Sequence, residues 1–132
     1  MVILRHDSDN WNLTFYCSDY NVDTMKAPLG EFEVVVLMAV LRLATGANGS
    51  AVRHEIEQRI GRTVSRGSVY VTLDRLEEKG LLASRVEEAP NVRGGVRRLF
   101  LATPAGLKAV RHSVTTLTRM QAGLESVLGD VK

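Results

Sequence analysis

A chain of 132 residues with 45% hydrophobic and 24% charged side chains has the make-up of one globular domain, long enough to build a core without staples. Its single cysteine, Cys17, excludes an internal disulfide framework, and no apolar run reaches the ~18 residues of a membrane span. The formal charge of +2 is uneven: residues 1–24 carry one arginine against four aspartates, net −3, which leaves +5 on the rest and a mild pull towards a polyanion.

Residues 1–24 differ in character from the remainder of the chain. Trp11, Phe15, Tyr16 and Tyr20 gather there with no steady period of 2 or 3.6. Two readings stand: a flexible tail with a few sticky aromatics, or sequence upstream of a start at Met25. The opening MVILRHDSDN has no h-region, so no secretory signal is expected. The lone thiol fits a reducing, cytoplasmic setting.

From residue 25 the pattern is strong. LGEFEVVVLMAVLRLA (29–44) has no polar side chain between Val34 and Leu41. Its β-branched content admits a strand, but its length, Glu31 and Glu33 at the start and the terminal TG favour a helix. A helix apolar on every side must be buried on every side, and in so small a domain one side is expected to meet a second chain. GSAVRHEIEQRIG (49–61) reads as a second helix, with Ser50 as cap, Val52, Ile56 and Ile60 inward and Gly61 as stop. SRGSVYVTLDRLEEKG (65–80) reads as a third, capped by Ser65 and ended by Gly80. Its inward stripe is Val69, Leu73 and Leu76 with Thr72 beside them; Gly67, Val71 and Asp74 point the other way, flanked by Ser68, Tyr70 and Arg75.

LLASRVEE (81–88) and VRRLFLAT (96–103) read as a β-hairpin. Leu82, Leu99 and Leu101 are the expected inward residues, and Arg93, Gly94, Gly95, Arg97 and Arg98 lie at or beside the tip. The stretch 103–129 opens with Thr103 and Pro104, a strong helix start. Leu107, Val110, Val114, Leu117, Gln121, Leu124 and Leu128 then show an alternating 3-4 spacing, a heptad seam with one polar member. About 25 residues at 1.5 Å each predict a helix near 38 Å long, too long to hide in such a domain and therefore expected to pair with a second copy.

The fold class expected is mostly α with a small β-hairpin. Residues 25–102 would form a winged helix-turn-helix, and 103–129 a long C-terminal dimerisation helix. In such a layout the third helix enters a major groove and the wing lies along flanking phosphates. Ser65, Arg66, Gly67 and Ser68 occupy a helix start, where free amides favour phosphate. Tyr70 and Arg75 have the reach for groove-edge phosphates, Val71 is small and apolar enough for a thymine methyl, and Arg93, Arg97 and Arg98 charge the wing. Gly94 and Gly95 let its tip turn tightly. Asp74 is unfavourable beside phosphate and is expected to pair with Arg75 or a wing arginine, or to accept from cytosine.

Catalysis is not expected, nor any cofactor or metal. His6, His54 and His112 stand far apart without ligand partners at metal spacing. HEIEQ lacks the second histidine of a zinc-protease motif, and RGGVRR lacks the Gly-Lys-Ser/Thr of a P-loop. The competing reading is a winged helix that binds protein instead of DNA.

Three stretches, LGEFEVVVLMAVLRL, SRGSVYVTLDRLEEKGLL and RGGVRRLFLATPAG, carry a resemblance to the PadR-type transcriptional regulators. The second is the most specific: Ser65, Gly67, Val69, Tyr70, Leu73, Arg75, Leu76, Gly80, Leu81 and Leu82 fall on the family pattern. The likeness covers about residues 28–110, and the single final helix is similar to the short subfamily. It implies a homodimeric repressor that binds a palindromic operator in double-stranded DNA, often controlling its own and a neighbouring operon, in the cytoplasm with the nucleoid. Whether a small-molecule inducer binds is left open. The chain departs from the pattern at Asn48 and Phe100, where tyrosines are usual. It has no tryptophan in 103–129, so a drug sandwich on that helix is not expected.

Overall fold

The computed structural model describes residues 3–7, 10–14, 29–44, 46–91 and 94–129. In chain order these form β1 (Ile3–Asp7), β2 (Asn10–Thr14), α1 (Glu31–Leu43), β3 (Ala47–Asn48), α2 (Gly49–Ile60), α3 (Arg66–Glu78), β4 (Leu82–Glu88), β5 (Val96–Ala102), α4 (Pro104–Gln121) and the single turn α5 (Glu125–Leu128). Strands β1 and β2 pair antiparallel, Ile3 with Thr14 through Asp7 with Asn10, so residues 1–24 contain a hairpin where no regular element was expected. Phe15, Tyr16, Cys17 and Tyr20 lie outside the described residues.

One core unites α1 to α4 and the strands β3 to β5. Val36, Leu37 and Val40 of α1, Val52 and Ile56 of α2, Val69, Leu73 and Leu76 of α3, and Phe100 of β5 are all buried in it. The inward stripe of α3 is as the periodicity predicts, Thr72 included. The stripe of α2 loses its last member, because Ile60 is exposed. Helix α1 is closed on most of its circumference, with Val35 half-buried and Met38 exposed on the remainder.

The sheet has three strands, ordered β3-β5-β4. Strand β3 pairs Ala47 with Phe100 and Asn48 with Leu99, a strand too short to leave a period in the sequence. In the β4–β5 register Leu82 faces Ala102 and Ser84 faces Phe100. Leu82 therefore shares a face with Phe100 and Ala102, while Leu99 and Leu101 take the other; the expected single inward set is corrected accordingly. Phe100 is fully buried. The tip closes through Ala89 N–H donating to Gly95 O at 2.9 Å, with φ of 90° at Gly94 and 73° at Gly95, a conformation that suits glycine.

Helix α2 is capped by Asn48, whose Oδ1 accepts from Ala51 N–H at 2.8 Å, and not by Ser50. The link to α3 is pinned from α2: Val64 N–H donates to Glu57 Oε2 and Arg53 Nε donates to Val64 O, both at 2.9 Å. Helix α4 starts on Thr103, whose Oγ1 accepts from Gly106 N–H and donates to Gly80 O. A Cβ at Gly106 would lie 2.2 Å from Leu81 O, so only glycine lets α4 sit this close to the turn after α3. The expected helix over 103–129 is shorter in the structure: α4 spans 18 residues, about 27 Å at 1.5 Å per residue. It stops where Ala122 turns extended and Gly123 takes φ 90°. Leu124 and Leu128 of the expected seam thus lie beyond the break, off the α4 ladder.

Candidate nucleic-acid interface

The surface formed by α3 and the β4–β5 wing brings most of the expected DNA-facing residues together. Ser65 caps α3: its Oγ accepts from Ser68 N–H at 3.0 Å and its hydroxyl donates to Ser68 Oγ at 2.7 Å. The amides of Arg66 and Gly67, ahead of the helix ladder, enter none of these bonds. Arg66, Gly67, Ser68, Val71, Asp74 and Arg75 are all exposed, with half of Val71 open to solvent. Among the described residues Arg66 and Arg75 enter no ion pair.

Gly67 stands out physically. A Cβ there would meet nothing within 4 Å, and its φ is not positive. Neither backbone strain nor internal packing requires glycine, although glycine inside a helix costs roughly 1 kcal/mol against alanine. Tyr70 is half-buried because its ring lies over the start of α2. A Cβ at Gly49 would fall 2.3 Å from Tyr70 Cζ, so this contact fixes glycine at 49 and holds α2 against α3.

The wing arginines divide. Arg97 pairs across the hairpin with Glu87, Nη2 to Oε1 at 2.8 Å, and is exposed. Arg98, expected among the phosphate contacts, is half-buried and bonded to side chains of α3 and β4. Its Nη1 donates to Asp74 Oδ1 at 2.8 Å, its Nη2 bonds Glu77, and its Nε donates to Ser84 Oγ at 3.2 Å. Burial works against its charge, yet the bonds to Asp74 and Glu77 outweigh this and raise its pKa above the ordinary arginine value. Asp74 thus has the wing-arginine partner anticipated as one of its options. Gly94 and Gly95 stand at the tip, and Arg93 lies outside the described residues.

Sequence reasoning missed Arg62, an exposed arginine in the link that leads into α3. Its signal was its place in GRTVS, directly ahead of the Ser65 cap. Among the described residues no group of three or more His, Cys, Asp or Glu is placed to hold a metal ion, and no helix is long and apolar enough to cross a membrane.

The second surface is α4. Ala105, Gly106, Ala109 and Val110 are buried against the body, so Val110 of the expected seam belongs to the chain's own core. Leu107, Val114, Leu117, Gln121, Leu124 and Leu128 are exposed. Leu29, Val34, Val35 and Leu117 line an apolar groove of about 410 Å³ between α1 and α4.

The profile of the PadR-like family of transcriptional regulators matches residues 37–112, from mid-α1 through the first half of α4. The chain belongs to that family. PadR-like proteins are transcriptional regulators, and this chain has the winged-helix fold of that family. A curated relative, the transcriptional regulator Rv3488 of Mycobacterium tuberculosis, is 44% identical over 71 residues; the match takes in 52% of this chain and 64% of the relative, less than two thirds of its length. A PadR family regulator of Clostridium difficile superposes with a TM-score of 0.61 at 18% identity, over 76% of this chain and all of that one. The winged-helix DNA-binding protein F93 from STIV gives 0.57 at 20% identity, over 74% and 98%. At such identities the structural likeness concerns the fold.

Proposed function

We propose that this PadR-like chain is a homodimeric, sequence-specific repressor that sets α3 in the major groove of a palindromic operator and lays the wing along the flanking backbone. The observation that carries the reading is the first turn of α3. It is exposed, cationic and free of ion pairs among the described residues, and it holds a glycine that neither the fold nor the backbone demands. Close approach of a base edge or a sugar-phosphate backbone accounts for Gly67, and a thymine methyl accounts for exposed Val71. Arg66, Ser68, Tyr70 and Arg75 supply polar contacts, joined by Arg62 from the link, by Gly94, Gly95 and Arg97 on the wing, and by Arg93, which precedes them in the sequence. Phosphate contacts position the protein and base contacts specify the site, so sequence choice belongs to residues 66–75 and the wing supplies register.

The dimer rests on α4. A helix with Leu107, Val114 and Leu117 open to water is stabilised by a partner surface, and a second α4 beside the half-open face of α1 provides one. Targets in the chain's own promoter and a neighbouring operon are inferred from the family resemblance.

The test is binding of the purified protein to its own upstream DNA across salt. A DNA reader loses affinity by orders of magnitude between ~50 and ~200 mM salt as counterions are released, and prefers its operator over random duplex throughout. Equal binding to both at every salt concentration contradicts the operator reading and favours a protein partner.

A further inference from the structure

Arg97 and Arg98 are neighbours in β5, yet they project from opposite faces of the hairpin. Arg97 meets one glutamate across the strands, Glu87, in an exposed pair of a kind that contributes little and exchanges readily. Arg98 stands opposite Val86 and shares its face with Ser84 and Phe100. Its three guanidinium nitrogens bond Ser84, Asp74 and Glu77, and its Cζ lies 4.7 Å from the centre of the buried Phe100 ring. Ser84 closes the circuit, its hydroxyl donating to Glu77 Oε2 at 2.6 Å. One side chain thereby joins β4, β5 and the second half of α3.

We propose that Arg98 is a positioning residue: shared between Asp74 and Glu77, it holds the wing at a fixed setting against α3, and it does not itself neutralise a phosphate. This rests on the DNA-binding reading above. The charge balance supports it, since one arginine and two carboxylates leave the cluster at −1, which repels a backbone instead of attracting it. To take a phosphate, Arg98 would have to leave both carboxylates, one of which, Asp74, lies on the outer face of α3 with Gly67 and Val71. A planar fork with donors on three nitrogens suits a fixed three-way tie better than a flexible ammonium does. The duplex imposes a fixed distance between groove and flanking backbone, so a wing set in advance binds without an ordering cost.

The two roles predict opposite signs. The near-isosteric double variant D74N/E77Q removes two negative charges from a surface facing a polyanion. If Arg98 is a phosphate contact held back by carboxylates, this variant binds all DNA more tightly and its salt slope steepens by about one. If Arg98 is a strut, affinity for the preferred duplex falls about fivefold, as expected when two charge-assisted bonds of one network weaken to neutral amide bonds, while random duplex is bound no more weakly than before. R98M gives the second sign: a strut predicts lower affinity for the preferred duplex at an unchanged salt slope, whereas a phosphate contact predicts a slope lower by about one.

Both variants are measured as full chains on a duplex recovered by selection and on random duplex, with thermal melts to confirm folding. D74N/E77Q is the decisive one, because the two roles move affinity for the preferred duplex in opposite directions. Tighter binding to both duplexes, or no change on the preferred one, overturns the proposal. A wild type with no sequence preference removes the DNA-binding reading as well, whereas a selective wild type with tightened variants removes only the role given to Arg98.

Discussion

Helices α3 and α4 each bury one face in the same core and leave the other outside, and the two outer faces differ in kind. That of α3 carries Arg66, Ser68, Asp74, Arg75 and Glu78, and a single apolar side chain, Val71. That of α4 carries Leu107, Val114, Leu117 and Met120 among Lys108, Arg111 and Arg119. Water suits the first and not the second, because exposed apolar area forgoes roughly 25 cal/mol per Å². On the proposed reading, the cations at the start of α3 that have no carboxylate partner face a polyanion, and the leucine-bearing stripe of α4 faces another protein. On that reading, the first is the surface for DNA and the second the surface for the chain's own second copy.

The largest effect is expected where that contrast is reversed. Leu117→Glu places charge in the apolar stripe and is predicted to give monomers in sedimentation. Two half-sites bound as one unit gain about 10² or more over one, so operator affinity should fall by a comparable factor while the fold persists. An intact dimer would remove α4 from the interface. Next in size is Gly106→Ala, which presses a Cβ against Leu81 O. It is predicted to cost about 1–3 kcal/mol of stability, read as a lower denaturation midpoint, without lowering the salt slope of DNA binding.

On the α3 side, Arg66→Ala and Arg75→Ala should leave the dimer intact. Each should lower the salt slope by about one if its contact is a single phosphate; loss confined to certain operator positions would instead assign that arginine to a base. The smallest effect is acid sensitivity. Glu33 joins α1 to Lys79 after α3, Oε2 to Nζ at 2.7 Å, and accepts from Gly30 N–H. Burial pushes its pKa up, but the bonds to Lys79 and Gly30 prevail and hold it below the ordinary 4.5. A lowered folded value means that the stabilisation is complete above about pH 4.5 and is lost as pH falls through the depressed value. Because the pair is partly solvated, Glu33→Gln should reduce the acid dependence of stability by about 0.5 kcal/mol or less, measured by denaturant titration at pH 6 and about pH 3.

The contrast between the two helices also marks what the sequence reveals and what it hides. Helix α3 was legible because every local signal agreed: Ser65 as cap, Val69, Leu73 and Leu76 at helical spacing, Gly80 at φ 77° after the end. Helix α4 was legible at its start, where Thr103 and Pro104 act locally, and misread at its end. The 3-4 spacing continues through Leu124 and Leu128, but Gly123 lies between them and Gln121, and one residue at positive φ breaks the ladder whatever the spacing says. The short strand β3 escaped because it depends on the position of β5, far along the chain, whereas the Asn48 cap is a local bond to Ala51 that the neighbouring Ser50 masked. The partners of Arg98 escaped for the same reason: Asp74 is 24 residues away and Glu77 is 21, and only the packing of wing on helix brings them together. Charge at the wing was visible in RGGVRR, but which arginine faces outward was set by strand register.

The central claim is that two copies of the α3-and-wing surface read one duplex together. Selection of bound sequences from a random DNA pool tests it most directly. The expected result is a two-fold symmetric motif whose half-sites lie about 10 bp apart, centre to centre, or a multiple of that. A pool with no enriched motif, or with one compact asymmetric site, would contradict it.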